Sequence, residues 1–365
     1  MISLSLSAII RSMNTNPQAL SKAAGLLLQS WRPIPAAIKT QKAIPIDVRL
    51  RREGIYYYKE IIHLQPKEWL IKEFGPGKKY PVNVNHLMKN IIWQVRTRII
   101  QKQQPPVEGL IRSFWYLYIK PVLARTNSLS KTVDQYSQMI QTFVRLIQYC
   151  DLMRYKDIGF TDDNQNDRKL GINNHIILFA EKAGHYPLLQ RIAQDSEITI
   201  LSLGGQPSLL SAEYFTDEMK AQGIDIRKSF YTFSLVDYDT SGWIIKEAFL
   251  NDLNFFGLKH IQHKDLILPD IFTKEEIELN KYPIPTSKEM QDKNKKWLQE
   301  SGGINGQLYG LETDAVPIKK IEELFFAEIE DLIKSTEDIR KGRALLSISQ
   351  SLDEYILARL RIQEG

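Results

Sequence analysis

The chain has 365 residues, 43% hydrophobic and 25% charged, with a net charge of +5; that composition is globular and leaves room for two or three domains. No apolar run approaches the ~18 residues that a membrane helix needs. The single cysteine, Cys150, excludes an intrachain disulfide and a zinc site built on cysteines, so a reducing, cytoplasmic setting is expected.

Residues 1–46 contain no Asp or Glu but carry Arg11, Lys22, Arg32, Lys39 and Lys42. They predict a basic arm that docks on DNA or on a partner subunit; an acid-poor organelle transit peptide is the alternative. Residues 47–106 predict a helical N-terminal region. Within it, Asp47–Gly75 carries three consecutive tyrosines, Tyr56 to Tyr58, and Gly75, Pro76 and Gly77 mark a turn. A single amphipathic helix is predicted over 83–103, closed by Pro105 and Pro106. Residues 107–119 predict an apolar helical segment in which Arg112 and Tyr116, four apart, share one face. A helix over Thr132–Cys150 and a short element over 151–160 have a helix-turn-helix pattern. The polar stretch Thr161–Lys169 reads as a wing or a linker.

Charge is unevenly spread over this half. Between Lys78 and Lys131 the chain carries ten basic residues and one acid, Glu108. Aromatic residues are interleaved: Trp93, Phe114, Trp115, Tyr116 and Tyr118. A one-sided excess of this kind predicts contact with a phosphate backbone, and so double-stranded DNA as partner. Lys89, Arg96, Arg98, Lys102, Lys120, Arg125 and Lys131 are the candidate contacts.

From 171 to 270 the pattern changes. Three short apolar runs, His175–Ala180, Ile198–Leu203 and Ser229–Val236, alternate with helix-like segments, and Ile261–Pro269 reads as a further strand. This is the pattern of a Rossmann-like parallel sheet in an α/β fold, in which functional residues gather at the carboxyl ends of strands. Glu181 comes directly after the first run; Asp237 and Asp239 come after the third. Three carboxylates at one sheet edge can hold a hard cation such as Mg²⁺ through oxygen ligands. Residues 271–365 predict an α-rich extension packed on this domain. Its stretch 272–305 reads as peripheral, and Glu312 and Asp314 as acids ahead of an amphipathic helix over 318–334, with an extension of the acidic site as the alternative. A last helix is predicted over 344–363. His185 reads as a surface or capping residue.

The order of Glu181, then Gly204-Gly205-Gln206-Pro207-Ser208, then Asp237-Tyr238-Asp239 with Gly242 resembles the Toprim domain of topoisomerases and primases. In its detail it looks like the A subunit of topoisomerase VI and its relatives, including the meiotic double-strand-break transesterase. The chain departs from that family at Gln206, where a lysine is usual, and at Thr240, where a proline is usual. The resemblance covers roughly 107–260. It implies a CAP-like winged-helix domain over 107–170 that carries a catalytic tyrosine. The segment Arg112-Ser113-Phe114-Trp115-Tyr116 keeps the family's Arg-to-Tyr spacing and its order before the Toprim glutamate, with Ser113 replacing an acid. Tyr56 or Tyr57, after Arg52, is the alternative nucleophile.

The activity so implied is that of a type IIB DNA topoisomerase subunit. Tyr116 attacks a phosphodiester to give a 5′-phosphotyrosyl bond, Arg112 stabilises the phosphorane, and Glu181, Asp237 and Asp239 hold Mg²⁺. Glu181 is the alternative general acid. The resemblance further implies a homodimer, since one tyrosine cuts one strand. The chain has no G-x-x-x-x-G-K-[ST] loop, so strand passage would call for a separate GHKL-type ATPase subunit. Two other functions stay open: a metal-dependent Toprim nuclease of the plasmid-defence type, and a non-catalytic DNA-binding adaptor.

Overall fold

Runs of β-branched and aromatic residues that are buried on both faces pair as the central strands of a parallel sheet, and this chain supplies three such runs and a half-buried fourth. A computed structural model describes residues 32–33, 44–162, 164–204 and 209–333. Residues 1–31 and 34–43 of the basic arm, the 205–208 stretch and the helix predicted over 344–363 lie outside them.

In chain order, β1 (Arg32–Pro33) precedes α1 (Ile46–Arg52), α2 (Lys67–Phe74) and α3 (Val84–Ile100). Next, Ile111–Phe114, a π-helical Trp115–Ile119 and Lys120–Arg125 run on as one helix, α4. Gln135–Val144 continues into a second π-helical turn, Arg145–Tyr149, as α5. The sheet half comprises β2 (Arg168–Lys169), β3 (Asn173–Ala180), α6 (Tyr186–Ser196), β4 (Ile198–Ser202), α7 (Leu209–Ala221), β5 (Ser229–Leu235), α8 (Thr240–Phe256) and β6 (His260–Asp265). Beyond it come α9 (Lys274–Asn280), β7 (Tyr282–Pro283), α10 (Gln291–Ser301), β8 (Tyr309–Gly310) and α11, over 318–333.

The main sheet has the order β1-β6-β5-β3-β4-β2. The four inner strands are parallel, and the two-residue strands at each edge are antiparallel. The chain leaves β3 for β4 on one side and then returns to β5 on the other, so the strand order reverses at β3. Side chains alternate across the sheet as the period of two requires. Ile176, Leu178 and Ala180 pack with α6, Trp297 and the α11 residues Ile321, Phe325 and Ile329, whereas Ile177 and Phe179 pack with α7 and α8. The mixed α/β class and the parallel sheet are therefore as predicted.

Residues 47–106 and 107–160 share one core: Leu87, Ile91 and Ile92 of α3 pack with Phe114, Phe143 and Phe160. Four expectations change. Ile55–Tyr58 is not helical, since Gly54 turns the chain at φ +69°. The segment 161–169 is no hairpin wing, because Arg168 and Lys169 pair with Leu201 and Ile200 of β4. Part of the arm is also not free: Arg32 and Pro33 pair with His263 and Gln262 of β6. Nor is 272–305 peripheral. Trp297 is only 2% exposed and lies edge-on to Tyr238.

The helical unit is fastened to the sheet unit through α7. Glu213, 1% exposed, accepts from the backbone N–H of Tyr155 and of Lys156, both at 3.0 Å. Around it, Tyr214 donates to the Phe160 carbonyl at 2.5 Å and Arg168 pairs with Asp162 and Glu218. Gln148 of α5 donates to Asp252 of α8 at 3.1 Å.

Two substitutions test this seam. Glu213→Ala removes the acceptor of the buried Tyr155 N–H and the part-buried Lys156 N–H and is expected to cost about 3 kcal/mol of unfolding free energy in denaturant titration. Burial pushes the Asp252 carboxyl up to about 7, with the Gln148 amide opposing. Because that folded value is raised above the ordinary 3.8, the folded state holds a proton that the unfolded chain releases. Its contribution to stability is full below about pH 4 and is lost as pH rises through about pH 7. Asp252→Asn should flatten this part of the melting-temperature profile, gaining on the wild type as the solution becomes alkaline.

Candidate functional site

The register of β3 on β5 sets Ala180 opposite Leu235, so Glu181 and Asp237, just beyond the two strand ends, emerge side by side where the strand order reverses. Open α/β sheets bind ligands at such a switch point. Asp239 caps α8 by accepting from the Gly242 N–H at 2.7 Å. Gly242 is required there, because a Cβ would collide with the Asp237 carbonyl oxygen. The structure thus brings together all three carboxylates singled out in the sequence. Their crowding registers on Glu181: burial, then the charge of Asp237 and of Asp239, push its carboxyl above the ordinary range.

The other groups at this edge come from 282–314, of which the sequence offered only Glu312 and Asp314, as the alternative to helix-start acids. Tyr282 donates to Asp239 Oδ2 at 2.8 Å, and the Thr313 N–H donates to Asp237 Oδ1 at 2.7 Å. Burial, then the Asp239 carboxylate, raise the Tyr282 phenol out of reach of ionisation near neutrality. Asp314 is not simply a helix-start acid. It accepts from Lys182 at 2.9 Å and from His185 at 3.0 Å. The backbone bridge between Tyr238 and Leu311 carries this segment to the site. A signal was present in Glu312 and Asp314, but nothing in the spacing ties them to residues some 75 positions earlier.

Lys182 decides what the acidic edge can hold. Its ammonium lies 3.1 Å from Asp237 Oδ2 and 2.9 Å from Asp314 Oδ2. Burial opposes its charge, but those two carboxylates hold it above the ordinary lysine range. The oxygen donors suit Mg²⁺ in kind. In arrangement they do not fit it: among the described residues no group of three or more His, Cys, Asp or Glu is placed to ligate a metal. Both Asp237 oxygens and both Asp239 oxygens already accept from protein donors. A tethered cation holds the place where a metal ion would meet Asp237.

The tyrosine lies apart from this edge, on α4. Tyr116 is 47% exposed. Arg112 sits 5.8 Å from its ring centroid and Lys120 sits 4.8 Å away. The hydrogen bond and charge of Arg112, with Lys120 adding to them, lower the phenol from its ordinary value. Each cation is about one turn from Tyr116 along α4, and the π-turn at 115–119 falls between them; π-bulges of this kind recur at functional sites. Neither Tyr56 nor Tyr57 has a cation over its ring among the described residues, although both line a cleft of about 290 Å³ with Trp93 and Arg98.

The expected DNA contacts divide. Lys89 is tied to Glu53 at 2.6 Å and Arg96 to Asp157 at 2.9 Å, so each has an ion-pair partner within the chain. Arg98 bonds to Gln103 and Gln104, and Arg125 donates to the His63 carbonyl at 2.6 Å. Lys102 and Lys131 are exposed, and Lys120 stands over Tyr116. Among the described residues no helix is long and apolar enough to cross a membrane.

No protein-family model matches the chain, and no curated protein matches it.

Arg112→Ala is expected to return the Tyr116 phenol toward its ordinary pKa. An NMR titration of isotope-labelled tyrosine, with Tyr116→Phe identifying the resonance, checks this. An unmoved titration would contradict the role given to Arg112.

Proposed function

We propose that the chain is a DNA strand transferase, the A-type subunit of a type IIB topoisomerase or a related transesterase, with Tyr116 as nucleophile. The observation that carries this is the exposed Tyr116 phenol, lowered from its ordinary value by two cations on its own helix. An ordinary phenol, with a pKa near ~10, is a weak nucleophile at neutrality. Here Arg112 favours the phenolate, and its planar fork suits a phosphate oxygen. In the step proposed, the Tyr116 oxygen forms a bond to phosphorus while the bond to the 3′ oxygen breaks. The leaving oxygen takes up a proton, and the 5′-phosphotyrosyl ester keeps the bond energy for resealing. Lys120 and exposed Lys102 and Lys131 attract the DNA backbone.

No step is assigned to a metal ion, since Lys182 holds Asp237. Glu181, half-buried and crowded by Asp237 and Asp239, keeps a proton to higher pH than an ordinary carboxyl; that suits it to protonating a leaving oxygen. Tyr116 makes no contact with Glu181, Asp237 or Asp239 among the described residues. Completing the site from two chains, the tyrosine of one beside the carboxylates of its partner, is part of the proposal, as is an ATPase partner subunit. A hydrolytic Toprim nuclease is the second reading, favoured by the same carboxylate cluster if Tyr116 proves inert.

Tyr116→Phe should slow formation of covalent protein–DNA adduct on the order of a thousandfold or more, and Arg112→Ala by about a hundredfold. Adduct yield should rise with pH as the phenol ionises, and in Arg112→Ala that rise should move to higher pH. A full yield of adduct from Tyr116→Phe contradicts the assignment. A divalent ion at the acidic edge must compete with Lys182. Lys182→Met is therefore expected to tighten Mg²⁺ binding by about tenfold, measured by calorimetry, and Asp237→Asn to weaken it.

A further inference from the structure

The three consecutive tyrosines after Gly54 have different surroundings. Tyr58 packs inward on Trp69 and Phe74, with ring centroids 5.9 and 5.4 Å away. Tyr56 is 53% exposed and makes a T-shaped contact with His86. Tyr57 is 84% exposed, and neither its ring nor its hydroxyl has a partner among the described residues. Yet the segment that carries these rings is fastened down by α3. Asn90 accepts from the Tyr56 N–H and donates to the Gly54 carbonyl, both at 2.9 Å. One turn on, Gln94 accepts from the Ile62 N–H at 2.9 Å and donates to the Glu60 carbonyl at 2.7 Å. Two exposed aromatic rings on a fixed backbone lose little freedom when a ligand meets them.

The cleft of about 290 Å³ lies between this segment and α3. Trp93, Thr97 and Arg98 line it from one face of α3, and Tyr56, Tyr57 and Lys59 line it from the segment. Its volume is at the lower end of small-ligand sites, roughly 300–1,000 Å³, which suits a single flat ring system. No Asp or Glu lines it. Arg98 bonds to amide oxygens of Gln103 and Gln104, which are neutral, and Lys59 has no ion pair among the described residues. Both charges are left uncompensated beside the aromatic rings. Aromatic faces next to free cations suit an anionic chain that carries flat rings, the chemistry of an unpaired nucleic-acid strand. A proline-rich peptide also packs on tyrosine and tryptophan, but it gains nothing from the two cations. The cations come from different walls, helix and segment, which suits the two phosphates on either side of a base in a strand.

We propose that this cleft takes one base of a single-stranded nucleic acid, stacked on Tyr56 and Tyr57, with the flanking phosphates on Lys59 and Arg98. The site does not depend on Tyr116 being a nucleophile, and its test uses no cleavage. DNA and RNA strands share this chemistry, and stacking tolerates any base because every base has a π-face.

The test is fluorescence anisotropy on the full chain with a labelled oligothymidine, an oligouridine, an abasic strand of the same length and a proline-rich peptide. The wild type should hold the oligothymidine or the oligouridine about tenfold tighter than the abasic strand, and the tighter of the two identifies the sugar. Tyr57→Ala should lose about that tenfold on the base-bearing strand and nothing on the abasic one, whereas Tyr57→Phe keeps the ring and should keep the affinity. Tyr57 is too exposed for either change to disturb the core. Arg98→Gln should reduce the slope of log affinity against log salt by about 0.7. Equal affinity of the wild type for base-bearing and abasic strands, or full affinity in Tyr57→Ala, would overturn the proposal. So would binding of the proline-rich peptide that requires Tyr57 while neither strand binds.

Discussion

Parallel pairing of β3 with β5 is the constraint on which the acidic edge depends. Placing Ala180 opposite Leu235 leaves no choice about where Glu181 and Asp237 emerge, and two carboxylates at that spacing repel. The fold answers with fixed donors and a fixed cation. The Thr313 N–H, the Tyr282 hydroxyl, the Gly242 N–H and the Lys182 ammonium together engage Asp237 and Asp239. Glu181 has no such partner of comparable strength and carries the cost as a raised pKa. Much of 282–314, down to the buried Trp297 against Tyr238, is positioned by the need to bring those donors to the edge.

The strands and the three carboxylates were legible in the sequence for a simple reason. Central parallel strands must be apolar on both faces, so they stand out as short continuous runs, and the residues just past each run lie at one edge. The edge strands were not legible. Arg32–Pro33 and Arg168–Lys169 are two residues each, too short to carry a period, and are specified by their partners alone. Tyr282 and Thr313 were missed, and Asp314 was placed second as a site residue, because their role comes from tertiary return of the chain, which leaves no local trace. Counting charge along the chain missed two ion pairs for a similar reason. Lys89 and Arg96 look free in sequence, but Glu53 and Asp157, 36 and 61 positions away, neutralise them. The Arg112–Tyr116 pairing was legible because helical spacing alone sets it.

The chain thus has two chemically distinct regions held by one seam. On α4, cations surround a phenol in solvent. At the sheet edge, a lysine sits among carboxylates. Between them, beside the seam of Glu213, Tyr214 and Gln148, lies a cleft that Arg112 and Asp252 both line. The seam sets Tyr116 and the three carboxylates apart within one chain, and the proposed function therefore draws the other half of the site from a second chain.

The most direct measurement identifies the atom that carries DNA. The full chain is incubated with double-stranded DNA and Mg²⁺, denatured, digested with nuclease and protease, and its peptides are weighed. A nucleotide remnant on Tyr116 is the result predicted here. A remnant on Tyr56 or Tyr57, or cut DNA with no modified tyrosine at all, would contradict it.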